Sequence, residues 1–322
     1  MVMPTWNGGP RFLAVLEALG AQDIDGGFQL VVIDSGSSDG TLEAARAAGA
    51  LVVEIPNSEF NHGATRNRGI GHASGEIVCL LTQDALPMNS QFVAALAKSF
   101  DDPTIDGAYA RQFPMPEQDP ILAERLRRWS ASRTESAVQE LAAGDPAASA
   151  LRYEELQPLE RLTACAFDNV ASCVRRSTWE RHPFPSASFG EDVSWGKRVL
   201  LDGGRILFQA DAQVEHSHPI DMRKDFKRLY CDHRNLHQLH GVRTVPTWGH
   251  VWRGWRPQAR YYGELVDAAP GLSPKQQRYW KRYAYPFSLL EASAQFLGAR
   301  SWWKAEQSRL WAWFDRRVRR GV

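Results

Sequence analysis

The residues able to do chemistry sit in a few short segments. Phe189-Gly-Glu-Asp-Val-Ser-Trp195 carries two adjacent carboxylates, Glu191 and Asp192. At a helix start they would point about 100° apart, so they cannot serve one role. Asp192 also reads as a helix-start carboxylate attracted by the dipole. In Ala212-Gln-Val-Glu-His-Ser-His-Pro219, alternation puts His216 and His218 on one face of a strand. Such a pair suits metal binding, and a single histidine there also suits a structural role. Arg66 lies in a helix beginning near Gly63, where a guanidinium can clamp a diphosphate bidentately. It could equally form a surface salt bridge, as its neighbour Arg68 could. Asp34 and Asp84 end apolar runs inside turn-forming sequence and read as turn carboxylates or as ligand contacts. There is no GxGxxG and no GxxxxGK[ST], so neither a dinucleotide fold nor a P-loop is supported.

Alternating strands and helices would position these groups. Val2–Pro4, Phe28–Ile33, Leu51–Ile55 and Glu76–Leu81 read as strands. Between them, helical spacing runs through Phe12, Val15, Leu16 and Leu19, then Thr41–Ala48, then Ala64–Ala73. Asp39 is placed to cap the second helix. The pattern predicts βαβ units and a parallel sheet. Val2–Pro4 is short for a sheet centre, which points to a native start upstream of Met1. Pro114–Pro158 reads as helices joined by polar loops, and strand signals return at Ala166–Val174 and Arg205–Gln209. Ligands of open parallel sheets bind beyond the carboxyl ends of the strands. That rule selects Thr5–Asn7, Asp34 and Ser35, Asn61–Arg66, and Thr82-Gln-Asp84, all on one edge.

Composition sets the limits. The chain has 322 residues, 43% apolar and 23% charged, which is ordinary globular composition. It excludes wholesale disorder, collagen-like repeats and a disulfide scaffold. No run reaches the ~18 apolar residues of a membrane span, and the first residues lack the pattern of a secretory signal. Cys79, Cys165, Cys173 and Cys231 fit no zinc or CxxC spacing and read as four reduced, buried thiols. The net charge of +1 hides a split. Residues 1–221 hold 18 basic against 30 acidic residues, whereas residues 222–322 hold 20 against 7 and 8 of the 12 tryptophans. The C-terminal region is therefore expected to meet something anionic.

Five motifs in this order, MPTWNGG, VVIDSGSSDGT, FNHGATRNRG, LTQDALP and FGEDVSWGKRVL, resemble the inverting family-2 glycosyltransferases of the GT-A fold. The likeness is strongest to the bacterial branch described as rhamnosyltransferase, and it covers roughly residues 1–220. It implies an α/β GT-A fold, a Rossmann-like mixed, mostly parallel sheet flanked by helices, with a helical C-terminal extension. It implies a donor site of Pro4, Thr5, Asn7, Asp34, Ser35, Arg66 and Gln83, with Asp34 on the base of a nucleoside diphosphate. Thr82-Gln83-Asp84 stands in the place of the family's DxD, with threonine for the first carboxylate. Asp84, with His216 and with His218 in reserve, would hold a divalent cation, Mg²⁺ or Mn²⁺. Asp192 matches the catalytic base. Glu191 would orient the acceptor or fix the helix start, and Trp195 would stack on a sugar or sit in the core.

The expected organisation is a catalytic domain over 1–220, with a nucleotide-sugar half over about 1–112 and an acceptor half over about 113–220. A helical, basic and Trp-rich region follows over 221–322. The expected partners are a dTDP-, UDP- or GDP-linked sugar and a glycan or lipid-linked acceptor in cell-surface polysaccharide synthesis, with no nucleic acid. The expected place is the cytoplasm, peripheral at the inner face of the plasma membrane. There the helix over 300–322 either lies in an anionic membrane surface or packs its tryptophans on the body. Two other readings are a non-catalytic carbohydrate-binding relative and a sugar nucleotidyltransferase. The second would need a glycine-rich basic loop after the first strand, and Asn7-Gly-Gly-Pro10 has no lysine.

Overall fold

The structure is a computed structural model describing residues 1–116, 118–187 and 189–321. The described residues form two compact units. The first comprises Met1–Met115, Leu126–Gln157 and Thr163–Ser217. The second comprises Pro116–Arg125, Pro158–Leu162 and the chain from His218 onward.

The first unit is built on one mixed sheet. Its strands are β1 (Val2–Thr5), β2 (Val31–Asp34), β3 (Leu51–Glu54), β4 (Ile77–Leu81), β5 (Leu86–Pro87), β6 (Gly107–Phe113), β7 (Ala137–Gln139), β8 (Ala171–Arg175) and β9 (Ile206–Glu215). They run in the order β3-β2-β1-β4-β8-β6-β9-β5, with β7 also on β9. The four strands β3, β2, β1 and β4 are parallel, as expected. Beyond them β8 is antiparallel to both β4 and β6, which makes the sheet mixed, as the resemblance implies. β1–β4 read as continuous apolar runs because helices cover both faces. One layer buries Met3, Phe12, Val32 and Leu81, and the other buries Val2, Ile33, Leu80 and Phe167.

Four helices of this unit matter for the site: α1 (Gly9–Gly20), α2 (Thr41–Ala47), α3 (His62–His72) and α4 (Glu191–Leu201). The boundaries follow the sequence reading within a few residues. Two details differ. Gly40 at φ 90°, not Asp39, is the residue before α2, and Asp39 instead accepts from Thr41 N and Oγ1. The segment 114–158 contributes strand β7 as well as helices.

The expectation of four reduced thiols is corrected. Cys79 and Cys173 are joined as a disulfide, because the antiparallel register of β4 and β8 sets them directly opposite. They are 94 positions apart in sequence, so no local spacing announces the pair. Cys165 and Cys231 are free and buried, and burial pushes their thiols up to about 12 and about 11.

The second unit is helical. Helices α5 (Met222–His240), α6 (Trp248–Ala268), α7 (Pro274–Gln307) and α8 (Arg309–Arg319) carry most of it. Tyr262, Ala284 and Phe287 form a core with Ile121. The helix over 300–322 packs one face: Phe314 meets Tyr230 edge-on, and Asp315 and Val318 are buried. Leu310 and Trp313 remain exposed. No helix among the described residues is long and apolar enough to cross a membrane.

Candidate active site

The loops after β1 and β2 are tied together by side chains. Thr5 Oγ1 donates to Asp34 Oδ2 at 3.0 Å, and Asp34 Oδ1 accepts from Gly36 N and Ser37 N at 3.0 and 2.8 Å. Ser37 Oγ also donates to Asp34 Oδ2. Asp34 is fully buried, so its carboxylate shapes this loop from below. Ser35 Oγ donates to Thr5 O, and Ser35 is buried too. Asn7 adopts φ 46°, a left-handed conformation that asparagine tolerates. Its Oδ1 accepts from Ser38 N at 2.9 Å. Gln83 clamps the neighbouring strand ends by accepting from Trp6 N at 2.8 Å and donating to Trp6 O at 3.1 Å. Pro4 lies within β1, half-buried. Every residue selected for the donor side except Arg66 thus lies on or just beyond β1, β2 or β4.

Arg66 is placed differently. Its Nη1 donates to Glu191 Oε1 at 2.8 Å, and both side chains are only 6% exposed. The α3 helix reaches this position because residue 63 is glycine: a Cβ there would stand 1.9 Å from Pro185 O. Arg66 Nε finds no partner among the described residues. The guanidinium is therefore held by a buried carboxylate and is not presented to a diphosphate.

Glu191 is correspondingly engaged. It accepts from Arg66 and from Asn169 Nδ2 at 3.2 Å and is 5% exposed. Of the two roles read for it, the geometry favours fixing the helix start over touching an acceptor. Gly190, at φ 70°, allows the sharp turn into α4. Trp195 is corrected outright. It is fully buried, 4.5 Å from the Phe167 ring centroid, and its Nε1 donates to His182 O at 2.7 Å. It cannot stack on a sugar; with Val199 it forms the apolar stripe of α4.

Asp192 Oδ2 accepts from Asn169 N at 3.3 Å, and Val193 N donates to Oδ1 at 2.8 Å. Burial, then the charges of Glu191 and Asp168, hold its carboxyl well above the usual carboxylate range. That shift suits a group that accepts a proton near neutral pH. Asn169 was not singled out from sequence, yet it touches both acidic residues and receives Ser172 Oγ on its own Oδ1. Asp168 was missed too. It faces Asp192 and accepts from Trp129 Nε1 at 2.7 Å.

The candidate metal ligands lie beside the loop after β4. His216 Nε2 is 3.6 Å from Asp84 Oδ1. The histidines follow β9 rather than lying within it, since that strand ends at Glu215. His218, two residues farther along the same continuous chain, offers a nitrogen within 4.8 Å of the other two ligand atoms. A carboxylate and two imidazoles, all half-buried, are a chemically suitable donor set with room for further oxygen ligands. Arg11 links the two segments. Its Nε donates to Asp84 O at 3.1 Å and its Nη2 to Glu215 O at 3.0 Å.

Residues 1–149 match the family described as Glycosyl transferase family 2. The O-antigen chain rhamnosyltransferase RfbN of Salmonella typhimurium is 30% identical over 234 residues, covering 71% of this chain and 69% of that one. The O-antigen chain rhamnosyltransferase WbaN of Salmonella anatum is 29% identical over 302 residues, covering 92% and 87%. Among solved structures, glucosyl-3-phosphoglycerate synthase from Mycobacterium tuberculosis, in complex with Mn²⁺, UDP-glucose and phosphoglyceric acid, superposes with a TM-score of 0.51 at 20% identity. It covers 77% of this chain and 80% of that one, which bears on the fold alone. The parallel half-sheet, the loops gathered at its carboxyl edge and these likenesses agree: the chain belongs to glycosyl transferase family 2 and is a glycosyltransferase of the GT-A fold.

Proposed function

We propose that this enzyme is a metal-dependent, inverting transferase that moves rhamnose from a nucleoside-diphosphate sugar to the hydroxyl of a glycan or lipid-linked acceptor. The reading of the sugar rests on the two relatives named as O-antigen chain rhamnosyltransferases. The observation that carries the chemistry is the pairing of Asp84 with His216 on the carboxyl edge of the sheet. The donor is dTDP-, UDP- or GDP-linked, and the Thr5–Asn7 and Asp34–Ser37 loops hold its nucleoside. Asp84, His216 and His218 would hold Mg²⁺ or Mn²⁺, which when bound supplies positive charge against the departing diphosphate. Asp192 takes the proton from the acceptor hydroxyl, help typically worth ~10²–10⁴ in rate. The hydroxyl oxygen bonds to the anomeric carbon as the bond to the diphosphate oxygen breaks, so the configuration inverts and no covalent enzyme intermediate forms. Asn169, Glu191 and Arg66 keep Asp192 in place. We place the enzyme in the cytoplasm, peripheral at the inner face of the plasma membrane, where a lipid-linked acceptor would be met.

The test is a screen of UDP-, GDP- and dTDP-sugars for nucleotide release and transfer, with Mg²⁺ or Mn²⁺, beside Asp192→Asn. Transfer from a rhamnose donor is expected, lost in the variant while donor affinity stays nearly intact. Loss of donor affinity with full turnover at saturation would remove Asp192 from its role. Transfer of another sugar only would overturn the rhamnose reading.

A further inference from the structure

Helices α6 and α7 pair within the second unit and carry two basic series that the transfer reaction does not use. Arg253, Arg256 and Arg260 on α6 repeat the spacing i, i+3, i+7, and so do Lys275, Arg278 and Arg282 on α7. That spacing makes one stripe on each helix. The stripes point away from the core. Arg260 lies about 200° around α6 from buried Tyr262, and Arg282 about 140° around α7 from buried Phe287. The helices meet where Lys281 pairs with Asp267, seven residues beyond Arg260 and so at the end of its stripe, and where Trp255 Nε1 donates to Tyr285 O at 2.7 Å.

None of the six cations forms an ion pair among the described residues. Of the acidic groups nearby, Asp267 is held by Lys281, Glu291 by Arg125 and Tyr262, and Asp119 and Asp225 are buried, while Glu264 stands exposed one turn beyond Arg260. Large aromatic side chains stand out beside the stripes. Trp252 is 59% exposed, Tyr279 55% and Tyr285 44%. Lys275, Arg278, Tyr279, Arg282 and Tyr283 line a cavity of about 570 Å³. Cations without counter-ions next to exposed Trp and Tyr are the makeup of a helix face lying at a lipid headgroup boundary, where rings enter the interface and cations meet phosphate.

We propose that the outward face of the α6–α7 hairpin is a docking surface for an anionic phospholipid membrane, with headgroup phosphates bound by Lys275, Arg278 and Arg282. The membrane contact that is one of the two readings of residues 300–322 is thereby placed on a different pair of helices, since α8 spends Phe314, Asp315 and Val318 on packing. It deepens the reading of a lipid-linked acceptor by naming the surface that would bring the enzyme to it. The binding is measured without donor or acceptor, so it stands or fails apart from the transfer assay.

The experiment is co-sedimentation of the full chain with phosphatidylcholine vesicles, with and without phosphatidylglycerol, across a salt series. Three variants accompany it: Lys275→Gln/Arg278→Gln/Arg282→Gln, Trp252→Ser, and Arg316→Gln/Arg317→Gln on α8. Circular dichroism melting confirms each fold. Salt-sensitive binding to phosphatidylglycerol vesicles is expected, roughly 100-fold weaker in the α7 triple variant and little changed in the α8 variant. No binding at low salt would overturn the proposal. So would equal binding to neutral vesicles, or loss confined to the α8 variant. If the triple variant does not fold, Trp252→Ser decides: undiminished binding in it overturns the surface. Free inorganic phosphate at millimolar concentration is expected not to displace the vesicles, and full displacement would point to a soluble anion site instead.

Discussion

Removing the Arg66 side chain tests how the acidic pair is held. Arg66 Nη1 and Glu191 Oε1 are 2.8 Å apart with both side chains 6% exposed. With charge centres about 4 Å apart and an effective dielectric near 20, their attraction is about 4 kcal/mol before desolvation is counted. Breaking a buried pair from one side costs about 3–5 kcal/mol, because the remaining charge is left buried. Arg66→Met and Glu191→Met should each destabilise by about that amount. The double variant should be no worse than either single one, since a buried pair replaced by apolar groups is often neutral. Urea unfolding of the four proteins then gives a coupling of at least about 2 kcal/mol. Additive single effects, each below about 1 kcal/mol, would refute the argument and mean that solvent screens the pair. A kinetic consequence follows in the same variants. Without Arg66, the negative charge of Glu191 acts on Asp192 uncompensated, so the acid limb of the transfer rate should move to higher pH in Arg66→Met.

Other outcomes follow from the same geometry. Asp192 must be ionised to accept a proton, and burial, Glu191 and Asp168 raise its carboxyl, so the rate should fall on acidification while the pH is still above the usual carboxylate range. Asp168→Asn keeps an oxygen for Trp129 Nε1 but removes a like charge, so the acid limb should move to lower pH; an unmoved pH–rate profile would separate Asp168 from Asp192. A raised carboxyl stabilises the fold below its unfolded value and loses that contribution as pH rises, so Asp192→Asn should melt no lower than the parent at neutral pH. Chelator should abolish transfer, and Asp84→Ala should weaken nucleoside-diphosphate binding by calorimetry only when Mg²⁺ or Mn²⁺ is present; full activity in excess EDTA would remove the metal from the reaction.

The half-sheet was legible because β1–β4 are apolar runs bounded by turn residues, and because βαβ order leaves few arrangements. The same logic put Asp34, Gln83 and Asp84 on one edge. Trp195 was legible in principle: with Gly196, Val199 and Leu200 it completes a helical apolar stripe, and that pattern argues for core over ligand. The Arg66–Glu191 pair was not legible. Its members are 125 positions apart, and the arginine of a polar helix gives no local sign that it will be buried. Arg11 reaches Glu215 across 204 positions, and Cys79 meets Cys173 only through strand register. Asn169 gives no signal at all, since it acts partly through a backbone N–H that any residue but proline carries.

What the sheet supplies and what the side chains supply are therefore different. Strand ends fix where the functional groups emerge, to within the reach of a loop. Orientation comes from polar groups on other elements. Arg11 on α1 fixes the backbone at Asp84 and at Glu215, so the carboxylate and the imidazole that follow are set relative to each other by one guanidinium. Asn169, just before β8, fixes Asp192 and Glu191, and Arg66 on α3 closes that network from the other side. On the proposed roles, with Asp84 and His216 on the cation and Asp192 on the proton, separate networks position each group without the other. On the same roles, a substitution at Arg11 should act on cation binding and one at Arg66 on the proton-accepting carboxylate, and the two arginines stand on helices that cover opposite faces of the sheet.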